Sequence, residues 1–276
     1  MAAHPAASHV MEHCVLNKHM ASAAAQQPHA DKHSASEDEC AIIRALQEQP
    51  DGVFHGIDDF TVLRFLRGCK GSAKAAPKRY AAYLAWRLAE SIDTVLDERL
   101  PPDVELEAQL TAMYKPRILP GLDKLGRPIV YSNMGAVDFA WCAKNGLDTK
   151  LLARRHTREL ELILRAVSAA PRPELGHLFL LDIGGLSLSR FLRGWKLWME
   201  EARIGQQFYP ELVGTVCILR GPSSAAWGLQ QVKRFLDADT AAKFELHSGD
   251  PLPYVREHLP PELVPPELFV QVSDEV

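Results

Sequence analysis

The chain has 276 residues, long enough to bury a large core and to hold about two structural units. Its 31 Lys and Arg nearly balance 35 Asp and Glu, for a formal net charge of −4, so it lacks the basic field that duplex nucleic acid requires and nucleic acid is not an expected partner. The five cysteines (Cys14, Cys40, Cys69, Cys142, Cys217) are odd in number and scattered, with no CxxC pair. They suggest neither a disulfide framework nor a zinc site, and imply a reducing, cytoplasmic compartment.

No stretch approaches the ~18 uninterrupted apolar residues of a spanning helix, and the N-terminus lacks the apolar core of a secretory signal. A soluble monomer that touches membranes reversibly, if at all, is expected. Residues 1–36 are rich in Ala, His, Ser and Gln, hold six of the eleven histidines and show no sustained period, which predicts a disordered tail. Those histidines have no regular spacing that would define a metal geometry. Ser36-Glu37-Asp38-Glu39 then opens a short helix, with a capping side chain and acids at the positive end of the helix dipole. Asp58 to Arg67 predicts a second helix, and Ala73 to Arg87 a third with Tyr80, Tyr83, Leu84 and Trp86 inward. Pro101 and Pro102 mark a linker. The turn-rich Gly121 to Pro128 reads as a hairpin leading into Ile129-Val130-Tyr131, and Leu151 to Ala169 as a long amphipathic helix. His156 sits among the apolar residues of that helix, where the spacing favours a satisfied core or boundary histidine over a ligand.

The continuous apolar run His177 to Asp182, closed by Gly184-Gly185, predicts a strand buried on both faces, as in parallel sheets. Helical spacing follows at Leu188, Phe191, Leu192, Trp195, Trp198, Met199 and Ala202, capped by Ser187 or Ser189. A second apolar run, Thr215 to Leu219, completes a strand–crossover–strand unit. Gly221-Pro222 breaks the chain before a helix from Ser223 to Leu236, and Phe244 to His247 is strand-like.

Catalytic signatures are missing from this pattern. Gly121 to Gly126 is followed by Arg127-Pro128, not by the Lys and hydroxyl residue of a phosphate loop. GxSxG and HExxH do not occur, and Gly184-Gly185 lacks the third glycine of a dinucleotide fingerprint. Asp182 at a strand end has no base or nucleophile beside it and reads as a turn-capping residue. No enzyme is expected, and no cofactor.

Several segments, in order and at spacing, resemble the CRAL-TRIO lipid-binding family of the yeast phosphatidylinositol and phosphatidylcholine transfer type. They are "DDFTVLRFLRGCK", "YAAYLAWR", "GLDKLGRPIVY", "LLDIGGLSLS", "FYPELVG", "LRGPSSAAWGLQQVKRFLDADTAAKF" and "YVREHLPPELVP". The resemblance implies an α/β fold: a helical N-terminal region over 37–100, then a lipid-binding domain over 108–270 with a mixed, mainly parallel sheet flanked by helices. It implies a hydrophobic pocket closed by a gate, with Trp227, Leu229, Val232, Phe235 and Leu236 burying its apolar face and Lys233 and Arg234 meeting anionic headgroups. Periodicity alone fits an ordinary sheet-covering helix equally well. Gly221 and Gly228 are candidate hinges.

The resemblance further implies that Glu211, Thr240 and Lys243 contact an inositol phosphate headgroup. Of the family's Arg-Lys pair only Lys70 is present, because Cys69 replaces the arginine and removes a bidentate phosphate donor. Phosphatidylcholine-binding members use a Ser and a Thr where this strand has His177 and Phe179, so phosphatidylcholine is not expected to bind by the same contacts. The implied function is binding and transfer of a phospholipid, phosphatidylinositol first, between membranes. Alternatives are a carrier of another hydrophobic ligand (a tocopherol, retinoid or sterol-like molecule) and a lipid-sensing adaptor of phosphoinositide or small-GTPase signalling.

Overall fold

The computed structural model describes residues 34–114, 116–222, 225–236 and 238–269. The expected disordered tail and its histidines therefore fall, for residues 1–33, outside the described residues. Helix α1, Glu37–Gln47, starts on the anticipated cap: the Glu39 N–H donates to Ser36 Oγ and the Ser36 N–H donates back to Glu39 Oε2. Asp58 caps α2, Asp59–Gly68, and α3 spans Ala75–Ala89. Phe54, Phe65, Tyr80 and Tyr83 stack between them, with Phe54 and Tyr80 centroids 4.7 Å apart. Leu84 departs from expectation and is 41% exposed. The buried stripe of α3 runs through Ala76, Tyr80 and Tyr83, and the next residue is rotated about 100° off it.

Past Pro101 and Pro102 the structure adds a helix the sequence reading did not place: α4, Val104–Met113, capped by Asp103. It buries only Leu110, so its apolar periodicity was too weak to be read. Strands β1, Arg117–Leu122, and β2, Pro128–Ser132, form the expected hairpin. Its turn places Gly126 at φ +82°, and Asp123 accepts the Leu125 and Arg127 N–H groups. A second unanticipated helix, α5, Phe139–Lys144, precedes the long α6, Thr149–Ser168. There follow β3, His177–Asp182; α7, Leu188–Phe208; β4, Val213–Leu219; α8, Ala225–Lys233; α9, Ala238–Ala242; β5, Phe244–His247; and α10, Leu252–His258.

The strands lie in the order β1-β2-β3-β4-β5, antiparallel between β1 and β2 and parallel thereafter. Both faces of the central strands are apolar, as the uninterrupted runs required. Leu178, Leu180, Cys217 and Leu219 point to one face, under Val255 and Leu259 of the C-terminal segment. Their neighbours Phe179, Leu181, Val216 and Ile218 point to the other, toward α7 and α8. Helices α1 to α3 share one continuous core with α6 and α7 through residues such as Phe65, Tyr80, Ile163, Ile204 and Phe208, and Trp86 stacks on Phe208 at 3.9 Å. Asp182 does hold a turn: it accepts from the Gly184 N–H and the Tyr131 hydroxyl and pairs with Arg220.

Candidate functional site

Between the second face of the sheet and helices α6, α7 and α8 lies a cavity of about 570 Å³. Its walls are largely apolar: Ile163 from α6, Phe191 and Trp198 from α7, Phe179, Val216 and Ile218 from the sheet, and Leu229, Val232 and Leu236 from α8 and the turn after it. That size falls within the ~300–1,000 Å³ typical of pockets that enclose a ligand.

Charged and polar residues from three segments meet on this cavity. Lys70 follows α2 in a left-handed turn (φ +53°), beside Gly71 at φ +75°, which leaves its side chain exposed. Glu211 follows Pro210 and also has a positive φ, +55°. Thr240 lies in α9 and Lys243 follows it directly before β5, with Lys243 Nζ 2.8 Å from Glu211 Oε2. All four line the cavity, so the structure brings together residues separated by as much as 173 positions in sequence. The ion pair is partly open to solvent, with side-chain exposures of 20% and 30%, and pairs of this kind contribute about 0–1 kcal/mol. An incoming anion can therefore displace the carboxylate at little cost. A non-glycine residue held at φ +55° costs about 1–3 kcal/mol, more than the pair returns, and such strain concentrates at binding sites.

Cys69, which stands where an arginine was expected, caps α2 through its N–H and packs against the core. Two other guanidinium groups line the same end of the cavity. Arg67 is engaged by Glu39 at 2.8 Å, and Arg79 donates to backbone carbonyls of Gly68, Gln206 and Gln207. His177 and Phe179 both line the cavity. Burial pushes His177 down to about 4, and its Nδ1 lies 2.8 Å from the Leu212 carbonyl, so it is a neutral imidazole at physiological pH.

Two of the five apolar residues assigned to the gate turn outward. Trp227 is 51% and Phe235 55% exposed, and neither lines the cavity, whereas Leu229, Val232 and Leu236 do. Phe235 turns outward because α8 ends at Lys233 instead of continuing to Leu236, so the chain turns and carries it onto Trp195 of α7, 5.6 Å away, whereas Trp227 lies within α8 about 200° around the helix from Leu229. On α7, Leu188 and Leu192 are likewise 47% and 56% exposed. Gly221 is required for close packing: a Cβ there would approach Leu246 to 2.8 Å and the Ala225 Cβ to 3.0 Å.

Sequence reasoning missed a polar patch in the wall between α6 and α7. His156 and Glu159 from α6 and Glu201 from α7 face the cavity beside Tyr114. His156 sits at the boundary, as expected, with its Nδ1 3.8 Å from Glu159 Oε2 and Glu201 facing it across the cavity. Burial pushes Glu201 up to about 7, with the Glu159 charge adding to it against the pull of His156. Burial lowers His156, but Glu201 and Glu159 outweigh it and leave its pKa raised. The pairing is invisible in sequence because 45 residues separate His156 from Glu201.

Comparison with known proteins agrees with this architecture. The sequence pattern of the CRAL/TRIO domain matches residues 112–268. The SEC14 cytosolic factor of Kluyveromyces lactis is 27% identical over 215 residues, covering 76% of this chain and 69% of that protein. The SEC14 cytosolic factor of Yarrowia lipolytica is 28% identical over 198 residues, 70% of this chain but only 39% of that protein. Protein real-time of Drosophila melanogaster is 29% identical over 208 residues, 71% of this chain and 30% of that protein. Among solved structures, the crystal structure of Sfh5 superposes with a TM-score of 0.63 at 15% identity, covering 81% of this chain and 84% of that one, a likeness of fold.

Proposed function

This chain belongs to the CRAL/TRIO domain family, a lipid-binding and transfer family, and from that premise we propose that it binds phosphatidylinositol and carries it between membranes. The observation that carries this reading is the Glu211–Lys243 pair with Thr240 and Lys70 on the rim of an apolar cavity. Lys243 and Lys70 supply cations for a phosphodiester, while Glu211 and Thr240 supply an acceptor and a hydroxyl for inositol ring oxygens. Acyl chains enter the apolar part. Two chains present about 30 methylenes, and at ~0.8 kcal/mol each their transfer from water is worth on the order of 20 kcal/mol, so exchange requires docking on a bilayer. Half-exposed Trp227 and Phe235, with Arg234 beside them, are suited to that contact.

The test is transfer of labelled phosphatidylinositol between vesicles. Lys243→Ala should reduce the rate at least tenfold while leaving the thermal unfolding midpoint near that of the unaltered protein. Failure of the unaltered chain to extract phosphatidylinositol would overturn the proposal. The polar patch of His156, Glu159 and Glu201 favours a second reading, a hydrophobic ligand carrying a hydrogen-bonding group in place of a second acyl chain. Mass spectrometry of the lipid that co-purifies separates the two.

A further inference from the structure

On the face of the sheet opposite the cavity, three metal-ligating side chains converge from two strands. The parallel register sets Cys217 of β4 opposite Glu245 of β5, and Leu219 opposite His247. Glu245 and His247 are two residues apart and so project to the same face, while Phe244 and Leu246 turn toward the cavity. The thiol, carboxylate and imidazole donor atoms all lie within 4.8 Å of one another. Cys217 Sγ is 3.9 Å from Glu245 Oε2, and His247 Nε2 is 3.5 Å from the same oxygen. Ligands bound tetrahedrally to zinc at ~2.0–2.3 Å stand about 3.3–3.6 Å apart, so the thiol–carboxylate and imidazole–carboxylate separations lie within a few tenths of an ångström of those in one coordination sphere.

Two further features point to a cation. His247 Nε2 is enclosed and has no hydrogen-bond partner, a condition that costs about 1–3 kcal/mol when a polar atom is left unpaired. Its ring is held in place by stacking on Tyr254 of α10, 3.8 Å between centroids, and Tyr254 in turn stacks on His258 at 4.1 Å. The Tyr254 hydroxyl accepts from the Cys217 thiol and donates to Glu245 Oε2 at 3.1 Å, so in the ion-free site it links two of the three donors, and an ion entering between them displaces it to an outer position. Glu245 keeps 50% of its side chain exposed, which leaves an entry path on the carboxylate side.

We infer that Cys217, Glu245 and His247 form a binding site for a divalent transition metal of the zinc class. The mixed sulfur, nitrogen and oxygen donor set suits zinc over calcium or magnesium, which take oxygen ligands alone. On binding, the metal replaces the Cys217 thiol proton, which leaves to solvent. The ion would bridge edge strand β5 to β4 directly behind Lys243, the residue preceding β5, and so brace the strand from which that lysine projects. The spacing of the cysteines conceals the site because each strand contributes only part of it. The inference is independent of the lipid ligand.

Cobalt(II) titration of the full chain tests it. A tetrahedral thiolate site gives a thiolate-to-cobalt charge-transfer band at one equivalent, and zinc at one equivalent abolishes it. The band should disappear in Cys217→Ser and weaken at least tenfold in apparent affinity in His247→Ala, while persisting in Cys69→Ser. Glu245→Gln, at the exposed edge, serves as a second ligand variant should Cys217→Ser fail to fold, and it should weaken binding in the same way. Cobalt held by the N-terminal histidines with Cys14 could give a thiolate band of its own, so every titration is carried out in a Cys14→Ser background, in which the Cys217 band should persist. Absence of the band in that background, its survival in Cys217→Ser, or unchanged affinity in both His247→Ala and Glu245→Gln would overturn the inference.

Discussion

Glu201 projects into the cavity without a hydrogen bond among the described residues, and its carboxyl is pushed up to about 7 from an ordinary 4.5, chiefly by burial. Between those values the folded protein retains a proton that the unfolded chain releases, so stability falls as pH rises through the window. His156 acts in the same direction: its raised pKa adds stability at low pH that is lost as pH climbs past its folded value. Glu201→Gln should therefore flatten the pH dependence and be more stable than the unaltered chain at pH 8, by about 2 kcal/mol at ~1.4 kcal/mol per pKa unit after allowing for the cavity's partial hydration. Urea melts of both proteins from pH 5 to 8 check this, and parallel curves would refute it. At the same scale, Glu211, Thr240, Lys243 and Lys70 could be read from motif resemblance, whereas the Glu201–His156 patch could not. Neither helix advertises a polar site by its own periodicity, and only their packing creates one.

The element that departs most from its sequence reading is α8 with its following turn. Apolar content correctly marked a helix that covers the sheet, and Leu229, Val232 and Leu236 do line the cavity. Composition alone cannot say where the helix ends, and its end at Lys233 turns Phe235 away from the cavity to leave it, like Trp227, half exposed. Side chains so placed lose little on truncation in the folded state yet gain much on entering a bilayer interface. Trp227→Ala and Phe235→Ala should each reduce partitioning onto phosphatidylinositol-containing vesicles about tenfold, given ~1.5–3 kcal/mol for burying a large apolar side chain. Their melting temperatures should stay within a few degrees of the unaltered protein. Vesicle sedimentation provides the measurement, and undiminished binding of both variants would show that another face docks. The missed helices Val104–Met113 and Phe139–Lys144 have a different cause: short segments that bury one residue each carry almost no periodic signal.

Across the whole molecule, the N-terminal helices and the sheet layer are joined by a buried polar network as well as by apolar packing. Glu161 of α6 accepts from Arg87 of α3 at 2.7 Å and from the Tyr209 hydroxyl at 2.6 Å, two residues before Glu211. Glu161→Ala would leave Arg87 largely buried with the exposed Asp93 as its carboxylate partner beside the Tyr83 hydroxyl, and breaking a buried pair costs about 3–5 kcal/mol. Denaturant unfolding should show a loss of that order as a single transition for both layers, and separate transitions would contradict the shared core. By itself the sequence determined the strands, the main helices and the parallel unit, because alternation and helical spacing are local consequences of side chains seeking one apolar face. Only the tertiary structure decided which residues meet. Glu211 and Lys243 pair across 32 positions, His156 and Glu201 face one cavity, and Cys217 lies beside Glu245 and His247. Such encounters depend on strand register and on where helices end, which are set by packing of the whole chain and leave no mark in any single segment.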